Sequence, residues 1–235
     1  MTGNPDQSCP LCHRPNACGA GREGGCWCNT VIFPRALLAW LPPAARDRAC
    51  VCRACLEAFR SALPSAERPL ETERLQLRPL TLDDAPFTLE LLNEPSYHRF
   101  IADRGLRTVE DARAYLAKGP LHSYQHLGYG LMLVALKPGG EPVGMCGLLQ
   151  RDFLPDPDIG FAFLERHAGR GYATESARAV AAHARAGLRI HRFVGFTAPD
   201  NTASMNVLQK LGLQRQRTVH LPGYATESIL FAPAD

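Results

Sequence analysis

Beyond Cys55 this chain of 235 residues has one more cysteine, Cys146, although the full sequence contains nine. Thiols are therefore nearly absent from the larger part of the chain and crowded into the smaller, which divides it into two domains built by different physics. Basic runs are missing as well: the net charge is +3 and the arginines are scattered, with no block of five or six like charges. An acidic polymer is not required as a partner, and nucleic acid is not expected. No stretch approaches the roughly 20 uninterrupted apolar residues of a membrane span. The first residues, "MTGNPDQSCPLC", lack the basic start and apolar core of an export signal. A cytoplasmic setting without a membrane partner is the expectation. There is no internal repeat, and a hydrophobic fraction of 46% is ordinary for a chain that buries a core.

The cysteine-rich stretch reads Cys9-x2-Cys12, Cys18, Cys26-Trp27-Cys28, then Cys50-x-Cys52-x2-Cys55. Between these lie "GAGREGG" and "LPPAAR", turn-rich and too poor in periodic apolar residues to build a core alone. Cys-x-x-Cys pairs bend two thiolates around one tetrahedral metal, and eight cysteines suffice for two zinc ions with four thiolates each. A spacing of two aims both sulfurs of Cys26/Cys28 and of Cys50/Cys52 to one side of an extended backbone, so each pair can share or bridge neighbouring sites. A disulfide scaffold is the competing reading, and a reducing compartment disfavours it. Trp27 is expected to be the main packing residue of this small module. How the eight thiols group is open at this level.

Residues 60 to 70, within "RSALPSAERPLE", form a polar, proline-punctuated connector between a module at 1–59 and a domain at 71–235. From Glu71 onward strand and helix signals alternate. "RLQLRPL" has the period of two of a half-buried strand, and "TLDDAPFTLELLN" opens with a threonine cap and an acidic first turn. "TVEDARAYLAKG" repeats that chemistry and is expected to stop at Gly119-Pro120. Strands follow at "GLMLVALKP" and "EPVGMCGLLQ", joined by Gly139-Gly140, and at "PDIGFAFLE". Then come a helix at "YATESARAVAAHARAGL", a strand at "HRFVGFTA", a short helix at "NTASMNVLQKLG", and two last strands at "LQRQRTVHL" and "ESILFAP". The order β-α-α-β-β-β-α-β-α-β-β is mixed α/β.

"HAGRGYATES", residues 167 to 176, places a glycine turn at the mouth of a helix. The first N–H groups of a helix lack internal partners and carry about half a positive charge, so such a turn is a generic anion site. No Lys-Ser/Thr pair follows the second glycine, which excludes a Walker loop. A dinucleotide fingerprint would need its third glycine at Thr174.

Three motifs in order, "DIGF" (158 to 161), "GRGYATE" (169 to 175) and "NTASMNVLQKLGL" (201 to 213), resemble the acetyl-CoA core of the GNAT superfamily of N-acetyltransferases. The ribosomal-protein N-terminal acetyltransferase-like branch is the most similar, and the resemblance spans residues 71 to 235. It implies a GNAT fold, with a mixed, mostly antiparallel central sheet and helices on both faces. Acetyl-CoA is then the cosubstrate and an amine, on a protein N-terminus or a small molecule, is the acceptor. The pyrophosphate would lie on Gly169, Arg170, Gly171, Tyr172, Ala173 and Thr174. The pantetheine arm would pair with the amides of Phe161, Phe163 and Leu164, and Asn201 would be the cofactor-side asparagine. Anchoring on Gly-Tyr-Ala-Thr-Glu makes Gly171 and Ala173 the paired small residues, puts Ala168 where the family has Gln or Arg, and leaves Arg166 outside the motif. "CPLC", "CWC" and "CVCRACL" resemble the cysteine-rich CWC family of zinc-binding segments.

Asp158 sits where the branch has a glutamate and is the candidate general base, against the alternative of an exposed acid at a strand start. Ser204 is the candidate hydrogen-bond donor to the leaving sulfur, against capping or packing. Leu208 stands where many relatives have a tyrosine. Tyr172 is expected to pack under the loop, Cys146 to be a small buried hydrophobe, and histidines 167, 183 and 191 to pack or face water. The second functional reading is an acyl-CoA sensor or interaction protein without turnover, sustained by Leu208 and Ala168.

Overall fold

The computed structural model describes residues 8–19, 26–46, 49–64, 68–224 and 227–234. Most of "GAGREGG" and the middle of the connector, residues 65–67, lie outside the described residues. Strands β1 (Leu70–Glu71), β2 (Leu75–Pro79), β3 (Leu131–Leu136), β4 (Pro142–Leu149) and β5 (Asp158–Phe163) pair in chain order as an antiparallel sheet. A smaller antiparallel sheet has the order β6 (Gly195–Thr197), β8 (Ser228–Ala232), β7 (Gln214–Val219). The two sheets meet at a single parallel bridge between Asp158 and Val194.

Alternation along the strands sends side chains to two faces. Leu133 and Met145 pack with Leu91, Leu92, Ala112 and Leu116. These belong to α3 (Ala85–Leu92) and α5 (Val109–Leu116), with α4 (Pro95–Phe100) adding Tyr97. Met132, Val134, Cys146 and Leu148 face the opposite way, onto Ala177, Val180, Ala181 and Ala184 of α7 (Tyr172–Ala186) and onto Val207 and Leu208 of α8 (Thr202–Lys210). The expected stop at Pro120 does not occur. The chain continues through a π turn, Ala117–Leu121, into α6 (His122–His126). The wider turn accommodates a residue that has no N–H to donate.

The cysteine-rich segment is not a free-standing bead. Its helices α1 (Arg35–Ala39) and α2 (Arg53–Ala62) insert Leu37, Leu56 and Phe59, each at most 3% exposed, into the same apolar cluster as Met132, Val134, Val180 and Leu188. Backbone and side-chain bonds fix the seam: Ala36 N–H donates to Leu127 O at 3.0 Å, and Trp40 Nε1–H to Leu188 O at 3.2 Å. Arg189 adopts a left-handed φ of 58°, unusual for a side-chain-bearing residue, and lays its guanidinium 4.3 Å above the Trp40 ring. Poor periodicity in the segment is explained, because the five-stranded sheet and α7 supply the missing half of its core. Trp27 is only half-buried, against Phe33 and under Arg53, so the packing role expected of it belongs to Leu37, Leu56 and Phe59. Helix α2 runs to Ala62 and β1 starts at Leu70, leaving a shorter connector than residues 60 to 70.

At its other end α7 is held to the β1–β2 corner by Glu175. The carboxylate accepts from Thr72 Oγ1 at 2.6 Å, Arg74 N at 2.9 Å and Arg74 Nε at 2.7 Å. Burial pushes the Glu175 carboxyl up, and these donors outweigh it, so the group ends below the usual 4.5. A carboxyl lowered by folding contributes stability that is complete above its unfolded value and is lost as pH falls through the folded one. Glu175→Gln is therefore expected to lower the melting temperature at pH 7, with the difference from wild type closing as pH falls below about 4.5 in thermal melts. Phe59→Ala, in the cysteine-rich segment, is expected to cost about 3–5 kcal/mol and to lower a single unfolding transition of the whole chain in urea. Two independent transitions would show separate cores.

Candidate functional site

The start of β5 meets the residue just before β6 in the Asp158–Val194 bridge, and the two strands diverge beyond. Ile159 N–H donates to Val194 O at 2.9 Å, and among the described residues no further ladder follows. On its other edge β5 is paired with β4 throughout, ending with Leu164 N–H to Val143 O at 3.0 Å. Alternation of N–H direction in an antiparallel strand then turns Phe161 and Phe163 to the same edge as Ile159, toward the opening between the strands. Leu164, grouped with them on the sequence, is fully buried and its N–H is spent on Val143, so it does not belong with the two phenylalanines.

The opening is a cleft of about 550 Å³ that runs from the start of α7 to Asp158. At the α7 end, Gly169 and Gly171 have φ of 74° and 82°, values that side chains disfavour, and Gly171 is the N-cap of the helix. That turn directs the first N–H groups of α7, at Tyr172, Ala173 and Thr174, to the cleft without a residue in the way. Arg74 braces the loop from outside, donating to Arg170 O at 3.0 Å and standing 4.8 Å over the Tyr172 ring. Tyr172 is half-buried against the core, as its packing role requires. The Arg170 side chain is exposed at the rim. Arg166 points elsewhere, into a surface pair with Glu90, and Ala168 offers no polar group.

On the facing wall Asn201 caps α8, its Oδ1 accepting from Ser204 N–H at 3.0 Å, and this sets Ser204 on the cleft surface. Leu208 is 1% exposed and packs on Gly195, in the core and not in the cleft. Cys146 is fully buried, and burial pushes its thiol up to about 12, which fits an inert hydrophobe. Histidines 167, 183 and 191 do not converge: His167 bonds Glu141, His183 lies against Gly187, and His191 is exposed.

At the other end of the cleft Asp158 is 2% exposed, which removes the exposed-acid alternative. Its Oδ1 accepts from Arg151 Nε at 2.8 Å. Burial pushes the carboxyl up and outweighs the guanidinium, which pulls it down, so the net shift is upward. Tyr97 of α4 and Tyr224 of the β7–β8 connection complete this end, with Phe196 and Tyr224 under the Arg151 guanidinium. Arg151, Tyr97 and Tyr224 were not marked by any spacing in the sequence; Arg151 lies in the connection from β4 to β5, seven residues before Asp158.

The eight cysteines separate into two groups. Cys9, Cys12, Cys52 and Cys55 bring their sulfurs within 4.8 Å of one another, as do Cys18, Cys26 and Cys50. Cys28 adjoins Cys26 and Cys50 as the eighth thiol. Measured pairs are Cys9–Cys55 at 3.8 Å, Cys12–Cys52 at 3.7 Å, Cys18–Cys50 at 3.5 Å and Cys18–Cys26 at 3.9 Å. Sulfurs at about 2.3 Å from a tetrahedral metal lie about 3.8 Å apart, whereas a disulfide needs about 2.05 Å. All nine cysteines are free thiols, and the spacing fits a metal. Cys26 is lowered to about 6, chiefly by donors from Cys28 and from the Gly19 N–H, which favours its thiolate. Cys50 and Cys52 go to different groups, so Val51 bridges the two clusters.

Comparison with known proteins gives the family and the fold. Residues 74–214 match the acetyltransferase (GNAT) domain and residues 9–57 the cysteine-rich CWC family. The uncharacterized protein YkkB of Bacillus subtilis is 28% identical over 160 residues, 66% of this chain and 90% of that protein. Also from B. subtilis, the uncharacterized N-acetyltransferase YnaD is 24% identical over 63% of this chain and 83% of its own length. An acetyltransferase structure from Agrobacterium tumefaciens superposes with a TM-score of 0.59 at 25% identity, covering 71% of this chain and 94% of that one. RimL, a ribosomal L7/L12 α-N-protein acetyltransferase solved with coenzyme A, shares the fold at a TM-score of 0.58 and 21% identity, over 68% and 94% of the two chains. With a GNAT match over more than half its length, the chain belongs to the GNAT acetyltransferase family and carries a cysteine-rich CWC domain before its acetyltransferase domain.

Proposed function

We propose that this chain transfers an acetyl group from acetyl-CoA to a primary amine by direct attack. The observation that carries this reading is the cleft itself, which joins the exposed N–H groups of Phe161 and Phe163 to the start of α7 at one end and to buried Asp158 at the other. The amides at Tyr172 to Thr174, with Gly169 and Gly171 keeping the approach clear and Arg170 adding charge at the rim, would hold the pyrophosphate. Phe161 and Phe163 would donate to the pantetheine arm and to the thioester oxygen. A donor placed where negative charge develops on that oxygen contributes about 2.7–4 kcal/mol, so the backbone supplies a large share of the catalysis.

The attacking amine must be neutral. An α-amine is neutral to roughly a tenth at pH 7, and a lysine-like amine to well under ~0.1%, so an α-amine makes the smaller demand on a base. Asp158 accepts its proton, directly or through water, and its raised pKa makes it a better base than an ordinary carboxylate. Arg151 holds the carboxylate in place. Ser204, fixed by the Asn201 cap, would donate to the departing sulfur. Acetyl transfer is supported by the family; the roles of single residues rest on this geometry.

The two cysteine groups would each hold a structural zinc ion, Cys9, Cys12, Cys52 and Cys55 one, and Cys18, Cys26, Cys28 and Cys50 the other. Zinc would supply folding energy there and no step of the reaction. Residues 1–59 and 71–235 then act as a metal-stapled splint and an acetyltransferase domain that share one core.

Thiol release from acetyl-CoA with an amine panel tests the reaction. Asp158→Asn is expected to lower turnover by about 10²–10⁴-fold and to abolish an acid limb of kcat/KM that titrates above the usual 3.8 in wild type. Ser204→Ala is expected to cost about tenfold. Tight CoA binding with no turnover on any amine would assign the sensor reading instead. Native mass is expected to exceed the apo mass by about two zinc ions, and by one in Cys9→Ser; a mass without metal would remove the zinc assignment.

A further inference from the structure

The Asp158 end of the cleft holds hydrogen-bond donors that proton removal does not use. Arg151 spends only Nε on Asp158, and among the described residues no acceptor meets its Nη1 or Nη2. Its side chain is 20% exposed, with the guanidinium 5.2 Å from the Phe196 ring centroid and 5.8 Å from that of Tyr224, two rings themselves packed edge to face at 5.1 Å. The aromatic walls fix the guanidinium plane, and its outer nitrogens are left to take a planar, two-oxygen anion.

We propose that the acceptor is a small α-amino acid, a primary amine with a free carboxylate on the neighbouring carbon, and not the end of a peptide; the proposal rests on the acetyltransferase reading above. The base and the unspent donors belong to one Asp158–Arg151 pair, so the amine and the anion of the acceptor must lie within one guanidinium's width of each other. An α-amino acid has that separation. Its reactive form, with a neutral amine and an ionised carboxylate, places its −1 charge on the outer Arg151 nitrogens. A peptide N-terminus puts a neutral amide where the carboxylate would lie, and its single carbonyl oxygen cannot take both outer Arg151 nitrogens or bring a charge to them, although the Nε bond to Asp158 stays in place. In the reaction the amine nitrogen bonds to the acetyl carbon and the carbon–sulfur bond breaks with its electron pair on sulfur. The ammonium proton passes to Asp158 and then to the thiolate, so charge and atoms balance.

The test measures acetyl-CoA thiol release with matched acceptors: free α-amino acids, their carboxamides, the corresponding decarboxylated amines, and short peptides with the same first residue. The free acids are expected to exceed their carboxamides in kcat/KM by about tenfold or more, the value of one charge-assisted hydrogen bond. Arg151→Met is expected to bring that ratio close to one, mainly through KM, even though it also lowers turnover on every acceptor by loosening Asp158. A residue that only positioned Asp158 would leave the ratio unchanged. Turnover on carboxamides or peptides equal to or better than on free acids overturns the inference and leaves the acetyltransferase reading intact. Absence of turnover on all amines overturns that reading instead. Calorimetric titration of amino acid against carboxamide in the presence of CoA then decides the inference, and equal affinity overturns it.

Discussion

The divergence of β5 from β6 after one bridge is the constraint on which the proposed chemistry depends. Backbone N–H groups are obligatory donors, and a strand edge that loses its neighbour must find acceptors elsewhere or stay in contact with water. Phe161 and Phe163 are in that position, flanked by apolar side chains yet with amides on an open edge. An extended ligand rich in carbonyl oxygens satisfies them as a strand would. The cleft can thus be regarded as a missing piece of sheet between two real ones. The positive turn at the start of α7 marks one end of the replacement strand and the Asp158–Arg151 pair marks the other.

The cysteine-rich segment follows from a different constraint. About fifty residues with two short helices cannot bury enough apolar surface to offset the entropy of ordering them. The structure answers in two ways: thiolates gathered at metal-like spacing, and a borrowed core in which Leu37, Leu56 and Phe59 lie on the back of the sheet and on α7. Neither half of that answer resembles a loosely tethered accessory domain.

Much of this was legible in the sequence, for identifiable reasons. Strand periodicity, threonine caps and glycine punctuation are local, so nearly every element from β2 to β8 could be placed, and Gly169 and Gly171 declared their turn because glycine adopts positive φ at no steric cost. What stayed hidden was set by distant partners. Arg74 and Arg151 look like any other arginine among the scattered ones until the fold brings them to Glu175 and Asp158. Leu164 was indistinguishable from Phe163 until strand pairing showed which way its N–H points. Pro120 signals a helix end by every local rule, and a π turn overrules it. The grouping of the eight thiols depends on which loops meet, and no spacing encodes that.

Helix α7 is secured at its first turn by Glu175 to Thr72 and Arg74, and just beyond its last turn by Leu188 and Arg189 to Trp40. Fifteen residues, about 22 Å of helix, therefore behave as a beam clamped at both supports, one belonging to each domain. A clamped beam neither tilts nor slides when its end is loaded. The turn at Gly171, proposed above as the anion cradle, is thereby held at a fixed height above β5, and the cysteine-rich segment contributes to this as the rear abutment.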